Sequence, residues 1–133
     1  MRVAFTSTDG ERIDEHFGRT DCFYVWEIGP DHALLVGKVS AITSAEDEED
    51  RIAARASAIA DCAIVYTMQI GGPAAAKLVS RRIHPMKTAT EVPVAEVVAK
   101  LQGVLRGNPP PWLRKAMGQH PEPLAEAREE DVS

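Results

Sequence analysis

The chain has only two cysteines and fewer basic than acidic residues. Its two cysteines, Cys22 and Cys62, form no close-spaced motif, so neither a disulfide framework nor a cysteine-rich nest of the ferredoxin kind is expected. Fifteen Lys and Arg against twenty Asp and Glu give a net charge of −5. That balance argues against nucleic acid as the main partner, because phosphate binding needs a basic surface. No apolar run approaches the roughly 20 residues that span a bilayer, so we expect no membrane partner.

The remaining composition fits one globular domain. With 133 residues, the chain can bury a core without disulfides or metals. Its first residues, Met1–Phe5, are typical of a strand and lack the length and layout of a signal peptide. Together with two unpaired thiols, this predicts a cytoplasmic protein.

Apolar periodicity predicts an α/β fold with the element order β-β-β-α-β-α-β-α. The predicted strands are Val3–Ser7, Cys22–Ile28, His32–Val39, Ala63–Thr67 and Met86–Ala89. The predicted helices begin at a capping box from Thr43 to Glu46, at Gly71, and at Pro93, and the last two end near Arg82 and at Arg106. An antiparallel meander that leads into right-handed βαβ units gives a mixed five-stranded sheet flanked by helices. Ribonuclease-H-like topology is the closest familiar architecture.

Residues 1–107 hold all of these elements and form the predicted α/β domain. Residues 108–133 begin with the stiff run Asn108–Pro111 and continue as a polar, acidic and Pro-interrupted segment. We expect a mostly flexible C-terminal tail with a short helix over Trp112–Met117.

The glycine-rich segment at residues 71–76 is typical of an anion site. Gly71 and Gly72 allow close approach of a ligand, and Pro73 suits a first helical turn. The free N–H groups of that turn and the helix dipole favour an anion. The segment has neither the Lys-Ser/Thr ending of a phosphate loop nor a dinucleotide fingerprint, so the anion is not specified by this motif.

A second motif lies in the predicted loop at residues 10–20. His16 stands beside Phe17, Gly18 and Arg19; imidazole is a good iron ligand, glycine permits close approach, and arginine can neutralise an anion. Further soft or nitrogen ligands are Cys22, Met68 and His84; Met68 has a plainer interpretation as core filler and His84 as a helix cap.

A metal-dependent nuclease is the first function that the predicted architecture suggests. Two-metal chemistry needs carboxylates at the meeting ends of strands. The predicted strands Val3–Ser7 and Ala63–Thr67 contain none, and Asp9 and Asp61 lie just outside them. A hydrolase therefore stays a weak alternative, which a null titration with Mg²⁺ or Mn²⁺ would remove.

The combination of motifs is more specific than its parts. Asp14–Arg19 before an aromatic strand, Ile70–Ala75 opening a helix and Ile83–Pro85 after it resemble the dinitrogenase iron–molybdenum cofactor-binding family over residues 1–107. Residues 105–115 resemble the NifX branch of that family. The resemblance implies a ribonuclease-H-like fold and a carrier, not an enzyme, in nitrogenase cofactor biosynthesis. The cargo would be an iron–sulfur cluster precursor of the iron–molybdenum cofactor, or the finished cofactor.

The same resemblance implies site residues and partners. The family's histidine falls on His16, which becomes the metal ligand, with Phe17, Gly18 and Arg19 beside it. Gly71 and Gly72 would face the anionic cluster, and the secondary candidates are Cys22, Met68 and His84. NifB would supply the cluster and the NifEN scaffold would accept it. The alternative is a regulatory interaction module of the same assembly system that acts through the tail, where Trp112 lies beside a proline run.

Overall fold

The computed structural model describes residues 1–119, and its centre is a mixed five-stranded sheet with the strand order β4-β3-β1-β5-β6. The strands are β1 (Arg2–Thr6), β2 (Arg12–Ile13), β3 (Cys22–Ile28), β4 (Ala33–Ser40), β5 (Ile64–Thr67), β6 (His84–Lys87) and β7 (Val92–Pro93). The helices are α1 (Glu48–Ala58), α2 (Gly72–Ser80), α3 (Val94–Arg106) and α4 (Pro111–Gln119). The part of the predicted tail at residues 120–133 lies outside the described residues.

Strand β1 is the middle of the sheet and pairs in both senses. It runs antiparallel to β3, with Phe5 opposite Tyr24, and parallel to β5, with Ala4 opposite Val65. Strand β4 continues the antiparallel side and β6 continues the parallel side. The predicted mixed sheet of a meander and βαβ units is therefore confirmed. Strands β2 and β7 pair in a separate two-stranded sheet, which sequence periodicity missed because two residues are too few to show a period.

Two apolar layers cover the two faces of the sheet, because successive strand residues point to opposite sides. Val3 and Phe5 of β1 belong to the layer beneath α3 and α4, which also contains Leu101. Ala4 of the same strand belongs to the layer beneath α1 and α2, which also contains Leu78. Helices thus flank the sheet on both faces, and within residues 1–119 none is long and apolar enough to cross a membrane.

Two predicted boundaries are wrong. Helix α1 begins at Glu48 with Asp47 as its N-cap, whose carboxylate accepts from the Asp50 amide at 3.2 Å. Thr43 instead makes a local turn, in which its hydroxyl accepts from the Ala45 amide, so the predicted capping box is not formed. The fifth strand of the main sheet begins at His84 rather than Met86, since its parallel pairing with β5 already starts at that residue.

Helix α4 is anchored on the core. Leu113 is 1% exposed and Ala116 is also buried, both in the layer shared with α3. The short helix predicted around Trp112 is therefore present and packed. The division of the chain at residue 107 stays a prediction.

Helix α2 ends in a left-handed residue that is not glycine. Arg82 has a φ of 65°, and the Ile83 amide donates back to the Leu78 carbonyl at 2.9 Å while the Arg82 amide donates to the Val79 carbonyl. These bonds form a Schellman-type end, where glycine is the usual residue because a Cβ is unfavourable at positive φ.

We therefore expect Arg82→Gly to be more stable than Arg82→Ala by about 1 kcal/mol, because both remove the side chain and only glycine removes the left-handed penalty. Urea unfolding followed by circular dichroism measures the difference. Ala76→Gly, in the body of the same helix, should be destabilising by about 1 kcal/mol. Equal stability of the two residue-82 variants would contradict a strained backbone at that position.

Candidate functional site

The loop that carries His16 is fixed by backbone pairing to the segment after β5. The Phe17 amide donates to the Gln69 carbonyl at 2.9 Å, and the Met68 amide donates to the Glu15 carbonyl at 3.1 Å. His16 and Gln69 thereby form a parallel bridge. The loop then turns back on itself, because the amides two and three residues after Phe17 both donate to the His16 carbonyl at 3.0 Å.

Two buried threonines hold the loop from beneath. The hydroxyls of Thr6 and Thr67 donate to the Glu15 carbonyl at 2.9 and 3.1 Å, and the two hydroxyls lie 3.1 Å apart. Both side chains are fully buried. The sequence does not predict this pair, since a threonine at the end of an apolar strand gives no signal of its partner.

The side chains of the loop divide between the core and the surface. Phe17 is 1% exposed and its ring lies 5.7 Å from the ring of Phe23, in the layer beneath α1 and α2. His16 is half-buried, whereas Gly18 and Arg19 are exposed. Phe17 therefore anchors the loop, and the imidazole of His16 is left partly accessible.

The start of α2 is open to a ligand. Gly71 is the N-cap in extended conformation, and within the described chain no side chain caps this helix. The first bond of the helix runs from the Ala75 amide to the Gly71 carbonyl, so earlier amides keep their donor capacity. A Cβ added at Gly72 would meet nothing in residues 1–119 within 4 Å. Packing therefore does not require glycine at that position, and the space beside it is available.

The loop and the Gly-Gly-Pro turn meet at one pocket of about 140 Å³. Its lining includes Phe17 and Gly18 from the loop and Gly71 from the turn. Helix α1 contributes two cationic side chains, Arg51 and Arg55. The structure thus brings parts of two motifs together that lie more than 50 residues apart in the sequence, and we name this space the loop–turn pocket. The predicted site residues His16, Arg19 and Gly72 neighbour these residues in the chain but do not themselves line the pocket. The cations that line it were missed, because arginines on a solvent-facing helix are ordinarily unremarkable.

Other predicted site residues lie apart from the loop–turn pocket. Cys22 lines a separate cleft of about 450 Å³ together with Lys38. His84 lines a groove of about 460 Å³ beside α4, where its ring stacks on Trp112 at a centroid distance of 4.2 Å and burial lowers its pKa. Met68 packs against the core layer of α3. Residues 1–119 contain no group of three or more His, Cys, Asp and Glu side chains that could hold a metal ion.

Burial is the main cause that raises the pKa of both thiols. Burial raises the pKa of Cys22, nearby Asp21 adds to the rise, and Lys38 opposes it. The Cys22 thiol donates weakly to the Ser7 carbonyl at 3.6 Å. Burial, helped by the neighbouring Asp61 carboxylate, raises the pKa of Cys62 as well. A cysteine ligand here would first have to lose a proton, since the thiolate is the form that binds metal.

We expect Cys22 to react with iodoacetamide at pH 8 more slowly than an unfolded-chain thiol, because less of it is thiolate. Lys38→Gln should slow the reaction further, since that ammonium opposes the rise in pKa. Lys87→Gln, on β6 across the sheet, is the matched control and should change nothing. Mass spectrometry of the alkylated peptide gives the rate. An unchanged rate in Lys38→Gln would contradict the electrostatic coupling.

Comparison with known proteins finds relatives of this chain. The family model described as dinitrogenase iron-molybdenum cofactor matches residues 1–103. NifX of Herbaspirillum seropedicae is 39% identical over 98% of this chain and 90% of its own length. NifY of Azotobacter vinelandii is 44% identical over 92% of this chain, which spans only half of that relative.

More distant matches extend the comparison. The FeMo cofactor biosynthesis protein NifB of Bradyrhizobium diazoefficiens is 30% identical over 83% of this chain and a quarter of its own length. The crystal structure of PH0822 superposes with a TM-score of 0.59 at 23% identity and covers 77% of this chain and 91% of that one, which shows a shared fold. The family model matches most of the chain, and NifX of Herbaspirillum seropedicae aligns with it over nearly the full length of both chains. This protein therefore belongs to the dinitrogenase iron–molybdenum cofactor family.

Proposed function

We propose that the protein is a carrier that reversibly binds an iron–sulfur precursor of the nitrogenase iron–molybdenum cofactor, or the cofactor itself, and passes it on during biosynthesis. Family membership and the NifX and NifY relatives associate the chain with that pathway of nitrogen fixation. The observation that carries the proposal is the loop–turn pocket, where the His16 loop and the uncapped start of α2 meet.

In this proposal His16 supplies the metal–ligand bond. Neutral imidazole is a common ligand for iron. The half-buried ring sits on a loop fixed at Phe17 and at the Glu15 carbonyl, so the ligand is held in place before the cargo arrives. A site that offers the cluster a single protein ligand binds it reversibly. That suits a carrier, which must release what it binds.

Charge supplies the rest of the binding. Arg51 and Arg55 of α1 line the pocket, and the exposed Arg19 lies on the loop that carries His16. The amides at Gly72 and Ala74 stand at the positive end of the α2 dipole. An anionic cluster gains from each of these, although Glu48 on the pocket rim opposes it.

The carrier acts between partners and performs no chemistry of its own. In this proposal NifB supplies the cluster, the NifEN scaffold accepts it, and the exchange takes place in the cytoplasm. We also propose ribonuclease-H-like topology for the fold. The strand order supports it, since β3 runs opposite to the other four strands of the sheet.

We expect His16→Ala to weaken cofactor binding by about tenfold or more, since even the loss of an outer-shell partner weakens a metal site that much. The assay is anaerobic gel filtration with iron–molybdenum cofactor extracted from dinitrogenase, with iron and molybdenum counted per chain. His32→Ala, in the turn between β3 and β4, is the control and should bind as the unaltered protein does. Uptake that is the same in both variants would rule out His16 as the ligand.

A docking role for α4 is the second candidate function. Trp112 is 36% exposed and Val79 is 60% exposed, and both line the groove beside α4 together with the cationic side chains of Arg82 and Lys115. An exposed tryptophan in a groove is a frequent anchor at protein interfaces. The groove lies outside the loop–turn pocket, so the two roles can be tested apart.

For this role we expect Trp112→Ala to reduce binding of purified NifEN by tenfold or more, because loss of an anchoring tryptophan costs about 2 kcal/mol or more. Surface plasmon resonance measures the affinity. Val104→Ala, an exposed apolar residue on α3, should bind as before. Deletion of residues 108–133 is a poorer test, because it would also remove buried Leu113 from the core.

A further inference from the structure

One arginine of α1 reaches across to the loop that carries His16. The Arg55 guanidinium donates from Nη1 to the Phe17 carbonyl at 3.1 Å and to the Thr20 carbonyl at 2.6 Å. The side chain is half-buried. A single side chain therefore joins helix α1 to both ends of the turn that follows His16.

These contacts add a side-chain donor to the hydrogen bonding of the turn. On one side, the amides of Arg19 and Thr20 are satisfied by the His16 carbonyl. The carbonyls of Phe17 and Thr20 lie on the other side, where backbone acceptors need a donor once water is displaced. Both hydrogen bonds leave from the one nitrogen Nη1, whose two N–H bonds are fixed in the guanidinium plane, whereas an ammonium on a flexible stem has no such preset geometry.

Arg55 also brings charge to the loop–turn pocket. Its hydrogen bonds are to neutral carbonyls, so they do not cancel its charge. Burial lowers the pKa of this guanidinium, Asp21 raises it, and Arg51 lowers it, yet an arginine stays protonated in a protein. Helix α1 therefore gives the pocket lining two positive side chains, Arg51 and Arg55, against one negative side chain, Glu48.

We propose that Arg55 is the positioning residue of the loop–turn pocket: it holds residues 16–20 against α1 in the conformation that presents His16, and it leaves a positive charge facing the cargo. The inference rests on the proposed carrier function for the identity of the cargo. The clamp on the loop stands on geometry alone.

Two other arginines provide matched controls. Arg51, one helical turn before Arg55, lines the same pocket but donates to the Glu46 carbonyl at 2.7 Å rather than to the loop. Arg81 makes a comparable clamp elsewhere, since its guanidinium joins the end of α2 to the Ala53 carbonyl and the Ser57 hydroxyl of α1.

The first measurement is amide hydrogen exchange by NMR on the protein without cofactor. We expect Arg55→Lys and Arg55→Gln to speed exchange at Arg19 and Thr20 by tenfold or more. Arg51→Lys and Arg81→Lys should leave those two amides as they are. Unchanged exchange in both residue-55 variants would overturn the clamp, whatever happens with cofactor.

The second measurement is uptake of extracted iron–molybdenum cofactor, with thermal unfolding of each variant as a record of stability. Arg55→Lys keeps the charge but loses the two-carbonyl geometry, so we expect it to bind several-fold more weakly, and Arg55→Gln more weakly still. Arg81→Lys should bind as the unaltered protein does. If both residue-55 variants took up cofactor as well as Arg81→Lys, the positioning role would be wrong.

The two proposals fail in different ways. If the unaltered protein takes up no cofactor, the carrier function is wrong, and the clamp is then judged by exchange at Arg19 and Thr20. If uptake is lost in His16→Ala but kept in Arg55→Lys and Arg55→Gln, the carrier function stands and the role of Arg55 is wrong. If uptake falls in Arg81→Lys as much as in Arg55→Lys, the loss follows general stability and the role of Arg55 is again wrong.

Discussion

The candidate site depends on one short stretch of backbone pairing beyond the end of β5. Through the Phe17–Gln69 and Met68–Glu15 hydrogen bonds, the loop continues the parallel hydrogen bonding of β5 beyond the end of that strand. The Thr6 and Thr67 hydroxyls support that pairing from within the core. The polar loop is thereby held in place as a strand is. A preorganised ligand must be held in this way by its surroundings.

The pocket combines this rigid loop with sources of positive potential that differ in kind. The dipole of α2 is a fixed property of the helix, and its open N-cap needs no side chain. The arginines of α1 contribute full charges from the neighbouring element. An acidic protein of net charge −5 can in this way present a local anion site without a basic surface. Under the proposed function, selection against other anions would rest on the imidazole of His16, which can bond to metal.

Sequence patterns could predict the sheet, the helices and the two motifs, because these depend on local periodicity and on turn residues. Asp47 in place of Thr43 as the α1 cap shows the limit of that approach, since both residues suit a cap and only the local turn decides between them. Arg55 could not be found, because its partners are backbone atoms more than 30 residues away. Cys22 lies only six residues after His16 in the sequence, but the strand that begins at Cys22 carries its thiol into a different cleft.

The Thr67 hydroxyl bonds to the Glu15 carbonyl, 52 positions away in the sequence. The site can therefore exist only once residues this far apart in the chain have come together. Every wall of the loop–turn pocket comes from a different part of the chain, so no early folding fragment contains it. The pocket needs the pairing of β1 with β5, because the loop is bonded to residues 68 and 69 just beyond β5. A bound cluster would stabilise that paired state over partly folded ones by mass action. Under the proposed carrier function, loading would thereby report on folding, because a misassembled chain would offer a cluster nowhere to bind.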